Sequence, residues 1–148
     1  TMIEPAAAAW IAGRGQDVSG VTYLAVVNDA ATGERIELNC TPDGQAFLAM
    51  TWDAARNPPD ADRLTLKFLV GGSHRFAAAA HFRPLDKGWG AAELDAADII
   101  DPLTEVLAVT AGSFEVEITG RGHTLLRSVF DMDRAPESMG LYRRYCRL

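Results

Sequence analysis

Apolar and polar residues alternate along much of this chain, most often with a period of two. Leu64, Leu66, Phe68 and Val70 are interleaved with Thr65 and Lys67 and preceded by Arg63, the pattern of a half-buried strand. Phe114, Val116 and Ile118 alternate in the same way with Glu115, Glu117 and Thr119. Residues 34–40 form another clean case, with Ile36, Leu38 and Cys40 on one side and Arg35, Glu37 and Asn39 on the other. Residues 21–27 are β-branched and aromatic between turn residues and read as a strand. Residues 46–52 carry large apolar groups on both faces, which places them centrally in a sheet. Residues 75–83 contain four consecutive alanines, which favour helix by propensity. There, however, Phe76, Ala78, Ala80 and Phe82 oppose Arg75, His81 and Arg83 at period two, so a strand is expected, with small residues where another layer approaches closely. Residues 89–94 and 124–132 complete a set of about eight.

Turn chemistry separates these segments. Asp43-Gly44 tolerates the positive φ of a tight hairpin. Gly71-Gly72 and Gly120 to Gly122 reverse the chain again, and residues 53–62, with Asn57, Pro58, Pro59 and Asp60, form a long exposed loop. Two segments break the period. Residues 95–110 read as helical, firmly from Pro102 to residue 108, with Asp101 as N-cap. A last helix follows Pro136, placing Met139, Tyr142 and Cys146 on one face at i, i+3 and i+7. The expected fold is therefore mainly β (α+β): an antiparallel β-sandwich or curled sheet of about eight strands with two short helices. Residues 1–148 form one domain, with residues 1–9 a loose arm and Trp10 the first packed contact.

Cys40 sits on the apolar face of its strand and Cys146 on the apolar face of the last helix. They are the only two cysteines, so each is the other's only partner, and a Cys40–Cys146 disulfide tying helix to sheet is expected. Two buried free thiols in a cytosolic ligand-binding β-domain are the alternative, which thiol titration under denaturing, non-reducing conditions separates. A disulfide implies an oxidising compartment, periplasm or cell exterior. The first residues carry no basic segment followed by a long apolar run, so no signal peptide is read there.

The chain has 148 residues and a formal net charge of −6, unevenly spread. Residues 1–118 hold 8 Lys/Arg against 17 Asp/Glu, whereas residues 119–148 hold 6 against 3. An acidic body argues against nonspecific binding to nucleic acid or anionic membranes. No apolar run approaches the roughly 20 residues of a membrane span. The Ala-, Gly- and Arg-rich composition suits a bacterial protein.

No catalytic signature appears in the sequence. His74 and His81 are an odd number of positions apart on one strand, so they face opposite ways and cannot chelate one ion. Ser73 stands beside His74 in a Gly-Gly turn rather than in a nucleophile elbow. Asp131 and Asp133 share a face and read as caps of the last helix. Asp98 and Asp101 open the middle one. No cofactor, metal or catalytic residue is assigned. The candidate interaction surface is Trp52, Trp89, Arg143, Arg144 and Arg147. Tyr23 joins the two tryptophans as a potential anchor, a residue class favoured at interfaces, unless these rings are core. The arginines are a partner patch unless they merely complement the helix dipole.

The order of Leu38-Asn39-Cys40, the strand 64–70, Asp98 to Leu103, Val129 to Met132 and Tyr145 to Leu148 resembles small secreted β-domains of Gram-negative bacteria. Those domains are typified by VasI-like type VI secretion accessory proteins and, more loosely, by the invasion-associated locus B family. The likeness spans most of residues 34–148, but Gly71-Gly72 and the alanine run stand where aromatic and charged residues are expected. It implies an exported, disulfide-bonded, non-catalytic module whose partner is a protein of the cell envelope or a secretion apparatus, with no nucleic acid. It would present a sheet face or the loops 53–62 and 84–88. The alternative is a small hydrolase or lyase with a cleft of carboxylates and His81 or His123.

Overall fold

In a computed structural model, which describes residues 9–148, the alternating segments pair into one antiparallel sheet. Its first four strands are β1 (Ile11–Gln16), β2 (Thr22–Asp29), β3 (Arg35–Cys40) and β4 (Ala46–Asp53). Strands β5 (Arg63–Val70), β6 (His74–Pro84) and β7 (Trp89–Leu94) follow, then helix α1 (Ile100–Val109). Strands β8 (Ser113–Gly120) and β9 (His123–Asp131) precede helix α2 (Ala135–Tyr145). The spatial order is β1-β2-β3-β4-β7-β6-β5-β8-β9, so β4 is indeed an interior strand.

The strand order is continuous, and the sheet is curled, as expected. Trp10, which leads into β1, lies against Phe114 of β8 with ring centroids 6.0 Å apart, although those strands are at opposite ends of the sheet. The edges meet where Asn28 Nδ2 donates to Asp131 O at 2.8 Å and Trp10 N donates to Asp133 O at 3.0 Å. Phe68, Phe114 and Phe130 continue the aromatic layer inside the curl. Each buried Phe or Leu contributes about 1.5–3 kcal/mol by leaving water.

Nine strands rather than about eight are present among the described residues, and the additional one is β1. It is an edge strand with exposed Ile11, Gly13 and Arg14, so it lacks the one-sided burial that makes a strand visible in sequence. The arm expected over residues 1–9 lies, apart from Ala9, outside the described residues. The hairpin at Asp43-Gly44 is as expected, with Gly44 at φ +88°.

Both helices cover the inner face of the sheet. Helix α1 starts at Ile100, with Ile99 rather than Asp101 at its N-cap. Asp101 instead sits in the first turn, where a carboxylate complements the helix dipole. The N-cap of α2 is Arg134, in the left-handed region at φ 63°, so neither Asp131 nor Asp133 caps it. Asp131 Oδ1 accepts the backbone N–H of Asp133 at 2.7 Å and shapes the turn before the helix. Met139, Tyr142 and Cys146 are all buried, as their spacing predicts. The Tyr142 hydroxyl donates to Asn39 O at 2.9 Å, and burial pushes the phenol above its usual range. One residue beyond Asn39, Cys40 is bonded to Cys146, with Cα atoms 5.7 Å apart and the two residues 106 positions apart in sequence.

Candidate recognition surface

The five residues nominated from sequence do not form one surface. Trp52 faces inward from β4 and is only 1% exposed; its ring packs 5.7 Å from that of Phe82, and its indole N–H is taken by Asn57 O at 2.9 Å. It is core, because β4 turns Leu48, Met50 and Trp52 to the same side. Arg143 is a structural clamp as well. Its guanidinium donates to Asp101 O at 2.6 Å and Thr104 Oγ1 at 3.0 Å, and pairs with Asp101 Oδ1 at 2.8 Å. Arg144 and Arg147 are exposed. They lie around Cys146, which is bonded to one end of β3, whereas Trp89 lines a cleft with Arg35 at the other end of that strand.

Trp89 is the indole that reaches solvent, at 39% exposure. It follows a short 3-10 turn, Asp86–Gly88, in which Lys87 adopts φ 58° and Gly88 φ 80°. This reversal brings loop 84–88 against loop 53–62, where Ala55 N donates to Gly88 O at 2.9 Å. Leu85 N donates to Trp89 O at 2.8 Å, and Asp53 is the register partner of Trp89 across β4 and β7. The loops expected to act as separate presenting elements are thus one hydrogen-bonded platform with Trp89 on it. Next in the strand, Gly90 faces the other side of the sheet, where a Cβ would stand 2.4 Å from the Phe82 ring.

Two clefts flank Trp89. One, of about 490 Å³, is lined by Thr32, Glu34, Trp52, Asp53, Arg56 and Asn57 in addition to Trp89. The other, of about 430 Å³, includes Asp29, Arg35 and Thr51. There Arg35 holds Asp29 through two contacts of 2.6 and 3.0 Å. That hydrogen bonding lowers the carboxyl of Asp29 below its ordinary range and raises the guanidinium of Arg35.

The outer face carries two other charged arrangements. His81 bridges Asp95 Oδ1 at 2.8 Å and Glu93 Oε1 at 3.2 Å, while Arg83 holds the other oxygen of Glu93 at 3.0 Å. The hydrogen bond to Asp95, with a smaller one to Glu93, raises the imidazole above its ordinary value. This cluster arises because His81 and Glu93 are register partners on β6 and β7. A groove of about 520 Å³ crosses β5, lined by Lys67, Arg75, Glu115, Glu117 and Arg127. In it Glu117 is already engaged by Arg127 at 3.0 Å and Thr124 at 2.9 Å, which lower its carboxyl.

The cleft required for a hydrolase or lyase is not assembled beside Trp89. Glu34 and Asp53 line it, but neither His81 nor His123 does. His123 lies instead 3.2 Å from Asp60. Among the described residues, no group of three or more His, Cys, Asp or Glu is arranged to hold a metal, and no helix is long and apolar enough to cross a membrane. No protein-family model matches the chain, and comparison with curated proteins and with solved structures finds no match either.

Proposed function

We propose that this chain is an exported binding or accessory module that recognises another protein of the cell envelope or a secretion apparatus. Recognition uses Trp89 and the platform made by loops 53–62 and 84–88. The observation that carries this reading is the contrast between the three tryptophans: Trp10 and Trp52 are 1% exposed, whereas Trp89 is 39% exposed between two clefts. A partly exposed aromatic on a rigid, hydrogen-bonded base is the kind of anchor on which interface energy concentrates. The Cys40–Cys146 bond supports export, because such bonds persist in oxidising compartments. The likeness of the cysteine-bearing segments to VasI-like accessory proteins points the same way. Because both ring nitrogens of His81 face carboxylates, a non-catalytic role fits better than acid–base chemistry there.

The test is affinity capture from an envelope extract of the producing organism, with wild-type chain and with Trp89→Ala. A partner retained by the wild type and lost at least tenfold from Trp89→Ala supports the reading. Equal retention by both chains overturns it.

A further inference from the structure

We infer that the cleft beside Trp89 is a socket for one cationic side chain, lysine or arginine, projected by the bound protein. This inference rests on the proposed role of Trp89 and specifies the chemistry it recognises.

Glu34 is the residue on which this socket centres. It stands between the β2–β3 turn and the first residue of β3, with 8% of its surface exposed, and it lines the cleft. Its carboxylate accepts a hydrogen bond from Thr32 Oγ1 and forms no ion pair with any described residue. A carboxylate offers about four lone-pair sites, so most of its capacity is unused. A buried charge without a counter-charge is unfavourable, and a cation arriving beside it recovers that cost. The sequence neighbours do not supply one: Arg35 is on the opposite face of β3 and is committed to Asp29 at 2.6 Å.

The rest of the cleft has the same preference. Asp53 adds a second carboxylate and Arg56 contributes the only positive charge in the lining, leaving one negative charge in excess. Trp89 forms part of the wall, and the face of an indole attracts a cation within about 6 Å. The volume of about 490 Å³ accepts one long side chain. An anion would meet two carboxylates, and a neutral apolar side chain would leave Glu34 uncompensated. A guanidinium suits the site particularly well, since its plane stacks on aromatic faces while its edge donates to carboxylates.

The probes are the N-acetyl methylamides of arginine and lysine, with the citrulline analogue as the uncharged isostere of arginine. They are titrated into isotope-labelled protein while the three indole N–H resonances are followed by NMR. Trp89 and Trp52 are expected to shift saturably with the cationic probes, and Trp10, packed on Phe114 elsewhere in the core, to stay in place. Citrulline should produce no saturable shift, and Glu34→Gln should weaken apparent affinity for the cations at least fivefold. The position of the Trp10 resonance reports whether Glu34→Gln is folded, and the citrulline comparison needs no variant at all. Equal shifts with citrulline, absence of any shift, or undiminished affinity in folded Glu34→Gln would overturn the socket. If Trp89→Ala loses the captured partner while the cationic probes do not bind, the recognition surface stands and the socket alone is wrong. If the probes bind as expected but capture is unaffected by Trp89→Ala, the socket stands and its use in protein recognition is wrong.

Discussion

Arg143 Nη1 lies 2.8 Å from Asp101 Oδ1, joining the first turn of α1 to the last turn of α2. The same nitrogen donates to Asp101 O and Thr104 Oγ1, and the Arg143 side chain is 20% exposed. Arg144, next in sequence, has no such bonds and points to solvent. Arg143→Ala should therefore destabilise the fold by about 1–2 kcal/mol, as expected for charge-assisted hydrogen bonds that are partly screened. Arg144→Ala should lie within about 0.5 kcal/mol of wild type. Urea unfolding of the two variants measures the contrast, and equal effects would refute the clamp.

Closing a loop across 106 positions restricts the unfolded chain strongly. The chain-entropy relation gives about 4–5 kcal/mol for a loop of this length. Replacing both cysteines, in Cys40→Ala/Cys146→Ala, should lower the unfolding free energy by about that amount, and reductant should shift only the wild type. An unchanged denaturation midpoint would show that the bond contributes nothing in solution.

His81 sets a pH dependence whose direction follows from its surroundings. Its folded pKa is raised above 6.5, so the protonated ring is favoured in the native state. The resulting stabilisation is fully present below the unfolded value and is lost as pH rises through the raised folded value. Glu93 and Asp95 contact the ring, Arg83 holds the other oxygen of Glu93, and Arg63 on β5 is the register partner of His81. Wild type should lose stability relative to His81→Gln as pH increases from about 5.5 to 8, the interval that spans histidine titration. Thermal unfolding of both chains across that range provides the check, and parallel profiles would count against the cluster.

Gly90 lies where a Cβ would come within 2.4 Å of Phe82 Cε1 and 3.0 Å of Ala54 Cβ. Phe82 in turn packs on Trp52, so its ring is not free to retreat. Gly90→Ala should cost about 1–3 kcal/mol, the usual range for overpacking. Gly13, in the edge strand, has nothing within 4 Å of the corresponding position, and Gly13→Ala should leave stability unchanged or slightly improved. Differential scanning calorimetry of the pair separates steric crowding from a general sensitivity to losing glycine.

Much of the sheet was legible because one-sided burial writes itself into period two, as in Leu64, Leu66, Phe68 and Val70. The alanines of β6 were readable as strand for the same reason, with Ala78 and Ala80 on the side of Phe76 and Phe82. Cys40 and Cys146 were readable because each occupies the apolar face of its own element. Strand β1 was not, since an edge strand with glycines and solvent on both sides has no such contrast. Trp52 was nominated for the surface together with Trp89, and burial alone separates them; chain-local pattern shows which side of a strand a ring takes but not what covers it. Glu34 was missed because its burial arises from the cleft around it, where β2–β3, loop 53–62 and Leu126 converge from distant parts of the sequence. The union of loops 53–62 and 84–88 rests on one backbone bond, Ala55 N to Gly88 O, for which side-chain sequence carries no signal.

The span between the two bonded sulfurs also constrains the order of assembly. Cys40 emerges from the ribosome early and must wait for Cys146 while β4 through β9 and both helices are synthesised. With translation proceeding at about 5–20 residues per second, the first thiol remains without its mate for several seconds at least. The covalent link therefore cannot form until α2 has been made, so it cannot be the nucleus around which the earlier strands β1 to β9 begin to pair during synthesis.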